Sequence, residues 1–265
     1  MTRRIQARII PPRRRTPIDS AVAPAPAGRA QCNTICSSCN LRELCLPCCN
    51  LTPSERGLAD RIVFNRSRVR RGEALYRSGD RFTSLYAVRN GFFKSTIVLE
   101  NGRDQVTGFC IAGEVLGMDS IGPERHGCNA IALEDSEVCA IPFAGLQALA
   151  REIPSLQHNF RKMMSREIVR EQGVMLLLGR MNAEERLAVF LLNLSQRYAA
   201  QGCSPSEFNL RMTREEIGSY LGMTLETVSR TLSGLQQEGL IVVQQRFIGI
   251  VDSANLKRVI GRGLD

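Results

Sequence analysis

The spacing of apolar positions changes twice along the 265-residue chain, and each change marks a different kind of element. From about Leu51 to Pro142, short β-like runs alternate with glycine. Leu85-Tyr86-Ala87-Val88 leads into Asn90-Gly91, and the run from Phe92 to Leu99 leads into Asn101-Gly102. Asn-Gly between such runs predicts tight hairpins, because both residues tolerate positive φ. Gly108, Gly113, Gly117 and Gly122 punctuate the rest of this region. Several short strands at this spacing predict a small β-roll or barrel.

The period then lengthens. Pro154 suits a helix's first turn, and no further proline interrupts the chain to about Gly179. Met164, Ile168, Glu171, Met175 and Leu178 recur at alternating four- and three-residue steps. That is the seam spacing of a two-stranded coiled coil, so the predicted partner is a second copy of the chain. A helix packed on its own domain would carry a similar methionine stripe; the length of this one favours the seam.

Beyond it, capped helices take over. Asn182-Ala183-Glu184-Glu185 is a capping box, followed by Leu187, Phe190, Leu191 and Leu194 on one face. A loop is expected around Gly202 to Pro205. Thr213-Arg214-Glu215-Glu216 is a second capping box, opening a helix with Ile217 and Leu221 that Gly222 ends. Thr224 caps a further helix whose Val228, Leu232 and Leu235 face inward while Glu226, Ser229 and Arg230 fall on the other side. Two short helices joined by a glycine turn predict a helix-turn-helix, with the second helix in the major groove of double-stranded DNA. Arg230 can donate a bidentate pair to guanine, Glu226 can accept from cytosine, and Ser229 can serve several bases. Leu240 to Val243, the turn Gln244-Gln245-Arg246, and Phe247 to Val251 read as a two-stranded wing.

The predicted fold class is therefore α+β. A basic arm (1–31), rich in proline and arginine and read as disordered, precedes a cysteine-rich segment (32–50). A β-roll sensor domain (51–150), a dimerisation helix (151–180) and a winged helix-turn-helix (181–265) follow. With 43% hydrophobic residues the chain can bury a real core. Its formal charge of +9, from 35 Lys+Arg against 26 Asp+Glu, favours a polyanionic partner. No signal-peptide pattern occurs and no apolar run approaches the roughly 18 residues of a membrane span, so a cytoplasmic location without membrane contact is expected. The two histidines, His126 and His158, form no catalytic constellation, and no enzyme activity is predicted.

Ten cysteines are unusual for a reducing compartment, where structural disulfides are rare. Six of them, Cys32, Cys36, Cys39, Cys45, Cys48 and Cys49, lie within eighteen residues. Cys36-x-x-Cys39 can place two thiolates on one metal, but no second such pair follows at zinc-ribbon spacing. Thiolates also hold iron–sulfur clusters, which tolerate more varied spacing. Spacing alone supports a metal site and leaves iron–sulfur and zinc both open.

Taken in order, these stretches resemble the CRP/FNR family, and specifically its oxygen-sensing FNR branch, from about Cys32 to Val251. The matching segments are Cys36-x-x-Cys39 with Cys45, Gly79-Asp80 through Ser84-Leu85-Tyr86-Ala87, Thr107-Gly108-Phe109, Val138-Cys139-Ala140-Ile141-Pro142, Leu176-Leu177-Leu178, Asn182 to Leu187, and Met212 to Arg230. The resemblance implies Cys36, Cys39, Cys45 and Cys139 as ligands of an oxygen-labile [4Fe-4S] cluster. It makes Cys32 dispensable and leaves Cys48, Cys49, Cys110, Cys128 and Cys203 as bystanders. It also implies Glu226, Ser229 and Arg230 as readers of a palindrome with TTGAT-like half-sites, and RNA polymerase as a further partner. It does not extend to the cyclic-nucleotide pocket. Gly113-Glu114 is present, but the Arg-Ser or Arg-Thr pair that grips the phosphate is replaced by Gly127-Cys128. A cyclic nucleotide is therefore disfavoured, with Arg125 and His126 the remaining candidate counter-charges.

These readings combine into an expected mechanism. Glu171 would face its twin across the seam, and the repulsion would keep the dimer marginal. A bound cluster would tip the balance towards the dimer, and oxygen would release the monomer. A zinc- or thiol-based redox regulator of the same fold is the alternative.

Overall fold

The computed structural model describes residues 33–34, 52, 64–99 and 102–261. The expected basic arm and nearly all of the cysteine-rich segment lie outside these residues.

Two antiparallel sheets form the roll. One contains β1 (Asn33–Thr34), β2 (Phe64–Val69), β4 (Ser84–Asn90), β7 (Val115–Leu116) and β9 (Ser136–Pro142), in the order β1-β2-β9-β4-β7. The other contains β3 (Ala74–Tyr76), β5 (Phe92–Val98), β6 (Asp104–Ile111) and β8 (Asn129–Ala132), in the order β3-β8-β5-β6. Side chains alternate across each strand. One set, including Val69, Val88, Phe93, Leu116, Ala130 and Val138, fills the space between the sheets. Gly91 and Gly102 both take positive φ, but only Asn101-Gly102 closes the expected hairpin, between β5 and β6. The hairpin expected at Asn90-Gly91 does not form: Gly91 carries the chain from β4 in one sheet to β5 in the other, because the two strands' apolar sides face each other across the roll.

The opposite faces of the strands are also buried, each by a different helical layer. Leu85, Ala87 and Ile141 pack against α1 (Phe143–Glu152) and the start of α2 (Pro154–Arg180) through Leu146, Leu149, Ile153 and Leu156. Helix α1 was not singled out from the sequence. Pro142 precedes it without a side-chain cap, so no start signal marks it. Phe92, Val106, Phe109 and Ile111, on the outer face of the β5–β6 hairpin, join a second core built around Leu187, Leu191, Ile217 and Val228. The roll and the C-terminal unit therefore share one continuous apolar cluster.

That C-terminal unit comprises α3 (Ala183–Ala200), α4 (Arg214–Leu221), α5 (Leu225–Gln237) and α6 (Ser253–Val259). Both predicted capping boxes are present, Asn182 with Glu185 and Thr213 with Glu216. The wing, β11 (Ile241–Gln244) and β12 (Phe247–Ile250), carries a third strand, β10 (Glu207–Asn209), paired to β12. At three residues, β10 is too short for a periodicity signal.

Candidate nucleic-acid interface and sensor site

Helices α4 and α5 are held at a fixed angle by a turn with little freedom. Gly222 caps α4 in the left-handed conformation at φ 64°, where a side chain would be strained. Gly218 sits against the same turn, and a Cβ there would lie 2.6 Å from the Met223 carbonyl oxygen. Thr224 caps α5 by accepting the Thr227 N–H at 3.2 Å. Val228, Leu232 and Leu235 are fully enclosed, as the sequence predicted.

The outer face of α5 presents the three predicted base-reading residues. Glu226 and Arg230 are exposed and Ser229 is half-buried. The Ser229 hydroxyl accepts a hydrogen bond from Arg214 Nη1 at 3.1 Å, so Arg214 joins this surface. It was missed as a site residue because only the packing of α4 on α5 brings it there. The wing tip, Gln244-Gln245-Arg246, is exposed, with Gln245 at φ 56°. Arg214, Arg230 and Arg246 supply the positive charge that phosphate and guanine contacts require.

Arg186 ties this unit to the long helix. It donates to the carbonyls of Leu178 and Leu221 at 2.9 Å each and to Met181 at 2.8 Å. It thereby satisfies orphan acceptors at the C-terminal ends of both α2 and α4.

On α2, four of the five predicted seam residues, Met164, Ile168, Glu171 and Met175, line one lip of a cavity. Met164 is half-buried, while Ile168, Glu171, Met175 and Leu178 are exposed. The cavity, about 570 Å³, lies between α2 and the roll, and Tyr76, Phe109, Leu116 and Cys128 are among its walls. Its charges are wrong for a phosphate. Asp119, Glu167 and Glu171 line it. Arg170 is engaged by Glu167 at 2.5 Å. Burial raises the Glu167 carboxyl above its ordinary value; Arg170 opposes that rise, and Glu171 and Glu114 add to it. Glu114, the residue of the Gly113-Glu114 pattern, accepts Arg197 Nε at 2.7 Å and Nη2 at 2.6 Å. Burial alone would lower the Arg197 value, but Glu114 more than offsets it. This half-buried bidentate pair leaves the Glu114 carboxylate already engaged by its own chain.

The two remaining candidate counter-charges are also committed. His126 is buried, stacks on Tyr76 with ring centroids 3.7 Å apart, and shares a 2.8 Å hydrogen bond between Nδ1 and Ser120 Oγ. Burial pushes its imidazole below the usual value, against the pull of Asp119 and Asp80, which keeps it neutral. Arg125 donates to the Gly79 carbonyl at 2.7 Å on the exposed side.

The cysteines divide into two groups. Cys110 and Cys128 are buried, and burial raises both thiols, that of Cys128 to about 11. A protonated thiol is a poor metal ligand. Cys139 differs. It is half-buried and lies on the outer face of its sheet with Ile141, opposite Val138. In register it stands across from Arg66 on β2. Strand β1 adds to the far edge of β2, with Asn33 across from Asn65 and Thr34 across from Phe64. The segment carrying the clustered cysteines thus meets the same sheet two strands from Cys139. Cys36, Cys39 and Cys45 lie outside the described residues. Among the described residues, no group of three metal-binding side chains occurs.

Comparisons with known proteins agree with this architecture. Residues 185–259 match the model of the Crp-like helix-turn-helix domain, and residues 66–152 that of the cyclic nucleotide-binding domain. The chain is 47% identical over 227 residues to the transcriptional regulatory protein btr of Bordetella pertussis, covering 86% of this chain and 93% of that protein. It is 42% identical over 230 residues to the fumarate and nitrate reduction regulatory protein of Escherichia coli K12, covering 87% and 92%. The structure of FixK2 from Bradyrhizobium japonicum superposes with a TM-score of 0.69 at 31% identity, over 74% of this chain and 97% of that one. The first of these is named a transcriptional regulatory protein and the second a regulatory protein, and the helix-turn-helix assigns DNA binding to this chain rather than catalysis. No helix among the described residues is long and apolar enough to cross a membrane.

Proposed function

The chain belongs to the CRP/FNR family of transcription regulators, and on that premise we propose that it is an oxygen-responsive member acting in the cytoplasm. Cys36, Cys39, Cys45 and Cys139 are the thiolates that would hold a [4Fe-4S] cluster, whose reaction with oxygen would supply the signal. The observation that carries this reading is the position of Cys139. It is half-buried on the outer face of the sheet that β1 of the cysteine segment joins two strands away. Cys36 follows Thr34 by two residues, a covalent reach of about 7 Å at most. Cys110 and Cys128 face the roll interior, are enclosed and stay protonated, which suits bystanders.

The remaining steps belong to the chain's own residues. Met164, Ile168, Met175 and Leu178 form an apolar seam with a second copy, and Glu171 opposes its twin within it. Repulsion between the two carboxylates keeps the dimer marginal. A few kcal/mol from cluster binding then decides the association state. In the dimer, two α5 helices about 34 Å apart read a palindrome of TTGAT-like half-sites through Glu226, Ser229 and Arg230. From there the protein acts on RNA polymerase at the bound promoter. The carboxylates around the α2 cavity, and Glu114 held by Arg197, argue against a cyclic nucleotide as the signal.

The test is the visible spectrum of protein purified without oxygen and then exposed to air while light scattering follows its mass. A broad brown absorbance that bleaches as dimer becomes monomer is the expected result, and Cys36→Ser should abolish the colour and specific DNA binding together. A colourless protein whose mass ignores air refutes the cluster and moves the sensor to zinc or thiol chemistry.

A further inference from the structure

The outer face of the β5–β6 hairpin grips the first helix of the DNA-binding unit and leaves the second uncovered. Lys94 Nζ lies 2.7 Å from Glu216 Oε1, with both side chains mostly buried. The other oxygen of the same carboxylate accepts the Thr213 N–H at 2.7 Å, closing the cap of α4. One turn later, Ser219 is held twice. Its hydroxyl accepts the Val106 N–H at 2.9 Å, and its carbonyl accepts Gln105 Nε2. Phe109 packs edge-on to Tyr220 with centroids 5.3 Å apart. All of these contacts fall on α4, while Glu226 and Arg230 on α5 stay exposed.

We infer that the β5–β6 hairpin is a strut that fixes the direction of the recognition helix, with Lys94 as a positioning residue for DNA reading. An apolar contact such as Phe109 on Tyr220 holds two surfaces together but lets them slide. A charge-assisted hydrogen bond has a preferred distance and angle. Placed at the N-terminus of α4, about 10 Å along the chain's path from the Gly222 turn, it acts as a lever on α5. Glu216 serves both as cap and as partner of Lys94, so the aim of the unit is tied to the start of its first helix.

The inference rests on the proposed dimeric reading of a palindrome. Two heads held rigidly on two rolls match one half-site separation. Each added base pair displaces a half-site by about 3.4 Å and turns it by roughly 35°. A head freed to swivel would follow it. Loss of the strut should therefore relax the choice of spacing while leaving the choice of bases intact, which a merely stabilising contact would not do.

The experiment measures binding of the full-length anaerobic protein to palindromes with the preferred spacing, with one base pair added or removed, and to a single half-site. The wild-type protein should prefer its spacing by about tenfold or more. Lys94→Met should cut that ratio to about twofold with half-site base preferences unchanged, and Lys94→Arg should restore it. Ser219→Ala, which removes the partner of Val106, should shift the ratio the same way and serves if Lys94→Met fails to fold. A wild-type spacing ratio in Lys94→Met or in Ser219→Ala overturns the strut alone. A wild-type protein indifferent to spacing also overturns it. If that protein binds a single half-site as tightly as the palindrome, the dimeric reading falls too.

Discussion

Truncation of Ile168 to alanine tests the seam quantitatively. Ile168 is 57% exposed in the single chain and precedes Glu171, the central position of the predicted stripe. Alanine removes three carbons, each contributing about 0.8 kcal/mol when fully buried. Scaled by the exposed fraction that a partner would cover, the loss is about 1.4 kcal/mol per protomer, or about 2.7 kcal/mol per dimer. Dimer dissociation should tighten or loosen by tenfold for each 1.4 kcal/mol, so Ile168→Ala should raise the dissociation constant by about 100-fold. The helix itself is little affected, since alanine is the better helix former. Sedimentation of the anaerobic protein over a concentration series reads this directly. Val169 provides the control. It is 62% exposed but lies about 100° further round the helix, outside the seam of a two-stranded coil. Exposure alone predicts a comparable loss, about 30-fold, on truncating it. The seam predicts less than about threefold. A Val169→Ala variant that dissociates as readily as Ile168→Ala refutes the assigned register, and an Ile168→Ala variant with unchanged mass removes α2 from the interface.

Three further outcomes are expected from the same geometry. Glu171→Ala should give a dimer that binds the palindrome in air, read by light scattering and gel shift; a variant that remains monomeric in air contradicts the repulsion account. Arg230→Ala should weaken the specific site by about 1–3 kcal/mol, the scale of one bidentate base contact, and an equal loss on random DNA would make Arg230 a phosphate contact. Burial pushes the Glu216 carboxyl up, but the Lys94 ammonium and the Thr213 N–H outweigh it and hold it below the ordinary carboxylate range. Its folded value is depressed, so its stabilisation is present above the unfolded value, about pH 4.3, and is lost as pH falls through the lower folded one. Lys94→Met should move that acid limb to higher pH, followed by the Glu216 carboxyl resonance in NMR; an unmoved resonance would show that Lys94 contributes nothing to it.

Much of the DNA-binding unit was legible because its signals are local. A capping box spans four residues, a glycine stop is one residue, and the enclosed positions of α5 repeat every three or four. The same holds for the Asn101-Gly102 hairpin, whereas Asn90-Gly91 marked a turn without showing that the next strand joins the other sheet. Where no local signal exists the sequence was silent, as at α1, which starts on Pro142 without a cap, and at the three-residue β10. Five further contacts were out of reach for a different reason. Arg214 to Ser229, Arg186 to the end of α4, Glu114 to Arg197, Lys94 to Glu216 and the pairing that puts β1 in the sheet of Cys139 all join different elements of the fold. The resemblance suggested Cys139 as a ligand, but nothing in the residue spacing could put it on the outer face of a sheet.

The sequence by itself determined which segments become helix, turn and strand, because backbone preference and periodicity act over a few residues. It also determined that one helix carries an apolar stripe interrupted by a carboxylate. Only the tertiary structure decided which charges meet. A carboxylate such as Glu114 reads the same in the chain whether it waits for a ligand or is held by an arginine 83 residues away. Long-range pairing depends on how whole sheets and helices pack, and that packing commits Glu114 to Arg197, buries His126 as a neutral ring, and sets Lys94 beneath the helix that aims the recognition surface.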